Sequence, residues 1–237
     1  MATASMTPAR LIDATPVVDD WWLIRLAWTG EAPQPGQWLW LDVNDRRVCL
    51  PVRDADAGEG WLAGVIPGTA LPGPLGPGTR VHISALQGNA VAPANAQPLL
   101  ILGEDLGIGP ALALAERHAA QVRLVLLGGC HGIPGRLAPS RFFVPALTDT
   151  AIAGVSSLEQ AGVPARIALA DERPGVHEGR VAELLGRYLA DTPQAERQAL
   201  ELVAFTPWGA LQSAREALVA SLRAVQLVEL PRGQAGL

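Results

Sequence analysis

The stretch with the clearest chemical capacity is Leu99-Leu100-Ile101-Leu102 followed by Gly103-Glu104-Asp105-Leu106-Gly107-Ile108-Gly109-Pro110. A glycine-rich turn between a buried strand and a helix lets the backbone approach a pyrophosphate, which the helix N-terminus favours. Such turns also serve only to pack a helix on a strand, and the spacing here is not the strict G-x-G-x-x-G. Glu104 and Asp105 put negative charge where an anion would lie, which opposes tight phosphate binding. A second loop, Thr206-Pro207-Trp208-Gly209, leaves another apolar run, and ligands of open α/β sheets gather at such carboxyl strand ends. Asp171 and Glu172 follow a third run and suit a ribose contact or a solvated turn equally.

Cys130 and His131, between Gly129 and Gly132, can seat a thiolate beside an imidazole, but no oxyanion partner accompanies them. Cys49 sits in a strand pattern and reads as a buried, inert thiol. His82, His118 and His177 are isolated, without metal-ligand spacing. These two cysteines are too few for a disulfide framework or a four-cysteine cluster. All 18 basic residues are Arg; without Lys there is no P-loop, Schiff-base lysine or Ser-Lys dyad. With 23 acids the net charge is −5, which leaves no basic arm for nucleic acid.

The elements that must position these residues fall into two textures. Six of the seven Trp (Trp21, Trp22, Trp28, Trp38, Trp40, Trp61) lie in the first 61 of the 237 residues. There, short runs alternate with period two, at 23–28, 37–43, 48–52, 60–66 and 80–84, separated by Gly and Pro. Closely spaced strands of this kind predict an antiparallel barrel. Trp38 and Trp40 share a strand face and read as barrel core. Pro72, Pro74 and Pro77 with their glycines form a stiff connection, and residues 90–97 are linker-like.

Beyond the linker, continuous apolar runs at 99–102, 122–127, 166–170, 202–205 and 227–230 alternate with helical patterns at 110–120, 179–189 and 209–222. This order predicts a parallel α/β sheet. The expected architecture is two-domain, β plus α/β: a flavin-binding-type barrel over 1–96 and a nucleotide-binding-type domain over 97–237. The insert 133–163, rich in Pro, Ser and Ala, has no assigned element; its Pro139-Ser140-Arg141-Phe142-Phe143 is a candidate for ordering it or meeting a partner. No signal peptide or membrane span is expected, and the chain reads as cytoplasmic.

Several segments resemble the ferredoxin–NADP reductase superfamily, most closely its dihydroorotate dehydrogenase electron-transfer branch. Pro35-Gly36-Gln37-Trp38 is similar to the family's Pro-Gly-Gln-Phe strand entry. Trp61, Leu62 and Ala63, then Gly68 and Thr69, match the segment that touches flavin. Residues 77–89, ending in Gly88-Asn89, fit the stretch that closes on Gly-Asn. Gly103, Gly107, Ile108 and Pro110 are retained from Gly-Gly-Gly-Ile-Gly-Ile-Ala-Pro, and Asp171 falls at the family's Asp-Asp-Gly. The resemblance implies FAD (or FMN) on the barrel, NAD(P)H on the α/β domain, and a redox partner protein or subunit.

The departures fall on the cofactor contacts. The family's flavin signature is Arg-Pro-(aromatic or aliphatic)-Ser, whose Arg neutralises the pyrophosphate and whose Ser meets the isoalloxazine edge. The aligned residues are Val48-Cys49-Leu50-Pro51. Losing a charge-assisted phosphate contact forfeits on the order of 1.5–3 kcal/mol. Arg46, Arg47 or Arg53 could supply a charge from a shifted position. Phe205-Thr206-Pro207 stands for the nicotinamide-side Cys-Gly-Pro, and no cysteine lies in 231–237, so no iron–sulfur cluster is expected. Two readings follow: a flavin-dependent, NAD(P)H-linked oxidoreductase or electron-transfer subunit, or a non-catalytic scaffold of the same fold that has lost FAD, NAD(P) or both. A cysteine enzyme at Cys130 is a distant third, and a homodimer is compatible with each.

Overall fold

The computed structural model describes residues 5–232 except 45, 74, 95, 96 and 150. The N-terminal part is a seven-stranded antiparallel sheet built from β1 (Met6–Pro16), β2 (Trp21–Ala27), β3 (Trp38–Val43), β4 (Arg46–Pro51), β5 (Asp54–Asp56), β6 (Trp61–Pro67) and β7 (Arg80–Ser84). Their spatial order is β4-β3-β7-β1-β2-β6-β5. The sheet curls until its ends meet: the Arg53 N–H donates to the Ala63 carbonyl at 2.9 Å. Gly64 permits that approach, since a Cβ there would lie 2.4 Å from the Pro51 carbonyl oxygen. Ile24, Leu26, Leu39, Leu41, Val48, Leu50 and Leu62 fill the interior. Trp38 is buried and Trp40 half-buried beside it, with ring centroids 5.2 Å apart in an edge-to-face pair.

β1 has no counterpart in the sequence-derived series. Leu11 is its single buried residue, so no alternating apolar face marks it. Its first half pairs with β7 and its second with β2, with a register shift after Leu11.

The second sheet is parallel and six-stranded: β8 (Leu99–Glu104), β9 (Val122–Gly129), β12 (Ala165–Leu169), β13 (His177–Glu178), β14 (Glu201–Pro207) and β15 (Ala224–Leu230), in the order β13-β12-β9-β8-β14-β15. Between β9 and β12 the insert carries a small antiparallel pair, β10 (Leu137–Pro139) and β11 (Ala153–Val155). The helices are α1 (Ile108–Arg117), α2 (Ser156–Gln160), α3 (Val181–Asp191), α4 (Gln194–Arg197) and α5 (Arg215–Ser221). The chain moves from β8 outward through β9, β12 and β13, then returns to place β14 on β8's other side. Strand order therefore reverses between β8 and β14, the position at which such sheets open a ligand crevice.

β8 is covered on both faces, as its unbroken apolar run requires. Leu99 and Ile101 join one core cluster; Leu100 and Leu102 join the other. The first cluster runs through α1 into the barrel interior without a break. The helix expected over 209–222 is shorter. The Trp208 N–H donates to the Leu230 carbonyl and the Gly209 N–H to the Glu229 carboxylate. These bonds tie 208–209 to β15 and delay the regular helix to Arg215.

The proposed boundary at 96/97 adjoins residues 95 and 96, outside the described residues, as do Pro74 and 233–237. What precedes the boundary is not a free linker. The Val91 N–H donates to the Pro35 carbonyl and the Ala94 N–H to the buried Glu201 carboxylate, each at 2.9 Å.

Candidate functional site

A cleft of about 340 Å³ opens beyond the carboxyl ends of β8, β14 and β15. This lies within the ~300–1,000 Å³ range of small-molecule sites. Glu104, Asp105, Cys130, His131, Arg180 and Arg232 line it, Arg180 pairing with Glu104 at 3.8 Å, with Pro207 and Leu230 as apolar lining and Pro67 arriving from the barrel. Asp105 adopts φ +50°, and its carboxylate accepts the Cys130 N–H at 3.0 Å and faces the Cys130 thiol at 3.5 Å. Gly129 makes room, since a Cβ there would lie 2.3 Å from the same Asp105 oxygen. Burial, then the neighbouring Asp105, push the Cys130 thiol above its ordinary range. This is the opposite of what an activated nucleophile needs.

Glu104 is held above the usual carboxylate range by burial first and by Asp105 second, with Arg180 and Arg232 offsetting part of it. Its native carboxyl thus binds its proton more tightly than the unfolded chain does. The associated stability is complete below the ordinary Glu value, ~4.3. It is lost as pH rises through the raised native value. Glu104→Gln should therefore flatten that loss and be no less stable than the parent at neutral pH. Thermal unfolding from acid to neutral pH reads this directly, and a variant weaker at neutral pH would contradict it.

The glycine turn is packed on protein. A Cβ on Gly107 would lie 2.0 Å from the Phe205 carbonyl oxygen, and one on Gly109 would lie 2.6 Å from the Val65 side chain in β6. A Cβ on Gly103 would meet the Ala111 methyl at 2.7 Å. Ile108 and Pro110 are buried with the rest of the first two turns of α1. The start of α1 is thus seated on the barrel and on β14.

On β4, Val48, Cys49, Leu50 and Pro51 are all buried, on both strand faces. β4 and β6 abut the Asp105–Gly107 turn directly. Burial drives the Cys49 thiol far upward, so it stays protonated and inert. On β6, Leu62 and Ala63 are buried and Trp61 is half-buried under the Arg25 guanidinium, 4.8 Å from the ring centroid. Gly68 is half-buried, while Thr69, Gly88 and Asn89 are exposed. Arg47 is engaged by Asp42 through two bonds of 2.7 Å, and Arg53 pairs with Glu116 at 3.4 Å.

Of the nucleotide-side residues, Pro207 lines the cleft, Thr206 is buried behind it, and Asp171 is exposed beyond β12. The structure therefore brings together Pro207, Cys130, His131, Glu104 and Asp105. It does not bring the β4 residues to any open surface. Arg180 and Arg232 were not legible as site residues, because each enters from a different segment with no motif around it. Among the described residues no group of three or more His, Cys, Asp or Glu is placed to hold a metal ion, and no helix is long and apolar enough to cross a membrane.

No family model matches this chain, and no curated protein matches it in sequence. Solved structures do match its architecture. An Amycolatopsis cytochrome P450 reductase is similar over 98% of this chain and 72% of its own, at 15% identity and TM-score 0.67. The flavohem-like FAD/NAD-binding domain of nitric oxide dioxygenase from Vibrio cholerae is similar over 95% and 99%, at 16% identity and TM-score 0.61. Phthalate dioxygenase reductase, a modular structure for electron transfer from pyridine nucleotides to a two-iron, two-sulfur centre, is similar over 94% and 68%, at 13% identity and TM-score 0.58. The curled antiparallel sheet followed by a parallel six-stranded sheet is thus the ferredoxin-reductase-like two-domain fold. At these identities the likeness is one of fold.

Proposed function

We propose that this chain is an accessory protein on a ferredoxin-reductase-like frame, whose barrel no longer holds flavin and whose remaining binding capacity lies in the cleft at the carboxyl strand ends. The observation that carries this is the state of β4. A flavin there needs an open strand face, a cation for the pyrophosphate and a hydroxyl for the ring edge. Val48, Cys49, Leu50 and Pro51 are buried and offer neither group. Of the three nearby arginines, Arg47 is held by Asp42 and Arg53 pairs with Glu116, while Arg46 is exposed at the start of β4, outside the buried 48–51 run. The residues do not fit the group, so no hydride step is assigned.

The cleft has the size and the mixed polar and apolar lining of a small-molecule site. Glu104 and Asp105 share its lining with Arg180 and Arg232, and Arg180 pairs with Glu104 at 3.8 Å, so the charges there largely offset one another. An accessory role implies a partner subunit, and the exposed Phe143 of the insert is a contact available to one. With FAD or FMN added, oxidation of NADH or NADPH by an artificial acceptor should stay at the protein-free background. Turnover above it would overturn this reading.

The second reading is a flavin-dependent, NAD(P)H-linked oxidoreductase or electron-transfer subunit. It is supported by the extent of the fold likeness to named reductases, across both sheets, and by the sequence segments similar to the dihydroorotate dehydrogenase electron-transfer branch. On that reading Trp61, Gly68 and Thr69 would border the flavin, and Gly103, Gly107, Asp171, Thr206 and Pro207 would border the nicotinamide nucleotide.

A further inference from the structure

The turn joining β1 to β2 reaches from the barrel to the loops at the carboxyl edge of the second sheet. Asp19 and Asp20 hold φ of 56° and 58°, consecutive non-glycine residues in the left-handed region, which persists only where surroundings enforce it. The Asp19 carboxylate accepts from the Arg173 guanidinium at 2.6 Å and from the Ile133 N–H at 3.3 Å. Gly132 admits it: a Cβ there would lie 2.6 Å from the same carboxylate oxygen. Asp20 turns the other way, onto Gly68. Trp21, fully buried, anchors the turn by donating its indole N–H to the His131 carbonyl at 2.8 Å.

Ile133 and Arg173 lie in the loops that follow β9 and β12, at the carboxyl edge where open α/β sheets hold ligands. Gly132 directly follows the cleft residues Cys130 and His131. A guanidinium beside a backbone N–H, over a residue without a side chain, is a donor set that cradles phosphate oxygens. We propose that Arg173, the Ile133 N–H and Gly132 form an anion subsite for a phosphate-bearing small molecule, and that the protein's own Asp19 fills it as an internal competitor. Ligand phosphate and the Val18–Asp20 turn then exclude one another. Apparent affinity is lowered by the fraction of molecules with the turn in place. This holds whether or not the barrel takes flavin.

Asp19→Asn tests it, because Asn keeps the size and tolerates positive φ while removing the charge that competes. Titrated calorimetrically with pyrophosphate, Asp19→Asn should bind at least about tenfold tighter than the parent, the size of one charge-assisted contact. Adding Arg173→Ala should remove that gain. Equal affinity, no detectable binding by Asp19→Asn, or a gain that survives Arg173→Ala would each reduce the contact to a structural latch and overturn the proposal. The unaltered protein gives a second readout: pyrophosphate should speed amide exchange at 18–20, and unchanged or slower exchange would count against it.

Discussion

Gly107→Ala should cost the protein about 3 kcal/mol, a large loss for one methyl group. Gly107 has φ −73° and ψ −11°, where alanine is as comfortable as glycine. Backbone strain therefore does not enter, and propensity alone would favour the substitution. The loss comes from space: the new Cβ would lie 2.0 Å from the Phe205 carbonyl oxygen. That oxygen belongs to β14, which is paired with β8 on one side and β15 on the other, so it cannot retreat. Gly103→Ala, which meets a side-chain methyl, should cost less. Chemical denaturation of the two variants gives the order, and a Gly107→Ala loss below about 1 kcal/mol would show that the turn is looser than described. The same contact bears on function, since the side of the turn at Gly107 is filled by protein backbone.

Arg166→Ala is the second large effect. Arg166 is the second residue of β12 and is fully buried; its guanidinium donates to the Ala165 and Phe142 carbonyls. Burial lowers its pKa, Glu159 opposing, and its Nε has no partner. Around it, Glu159 accepts from the Ser140 hydroxyl and the Arg141 N–H, which locks residues 140–142 of the insert. Truncation leaves a cavity and two carbonyls short of a donor, together about 3–5 kcal/mol. Arg166→Met refills the volume and removes the desolvated charge, and should recover a good part of the loss. Unfolding midpoints should rank the parent and Met above Ala, and exchange at 140–143 should rise in Ala alone. If Met proves as damaging as Ala, the hydrogen bonds rather than the volume hold the insert.

Much of this frame is written in the chain. The change from alternating to continuous apolar runs near residue 97 marks the passage from a half-solvated sheet to one covered on both faces. β8 shows why, with Leu99 and Ile101 facing one core and Leu100 and Leu102 the other. β1 was hidden because a strand with one buried residue carries no period. α5 was overextended because hydrogen bonds from 208 and 209 to β15, invisible in a helical pattern, hold that segment out of the helix.

The site was half legible. Strand ends and the glycine turn located the cleft, and Pro207 with Asp105 borders it. Which way the glycines face was not encoded locally: Gly107 and Gly109 meet Phe205 and Val65, from β14 and from the other sheet. Residue types at 48–51 already argued against flavin, but their burial depends on how the two sheets close together. The Asp19–Arg173 pair spans 154 residues, beyond any spacing rule.

The account rests on β4 offering flavin no surface. Protein incubated with excess FAD, desalted, and scanned across the flavin absorption bands tests this most directly. A colourless protein that retains no FAD is the predicted result. A yellow protein with flavin retained in proportion to the chain would mean that Val48, Cys49, Leu50 and Pro51 are uncovered in solution, and it would restore the flavin-dependent reading.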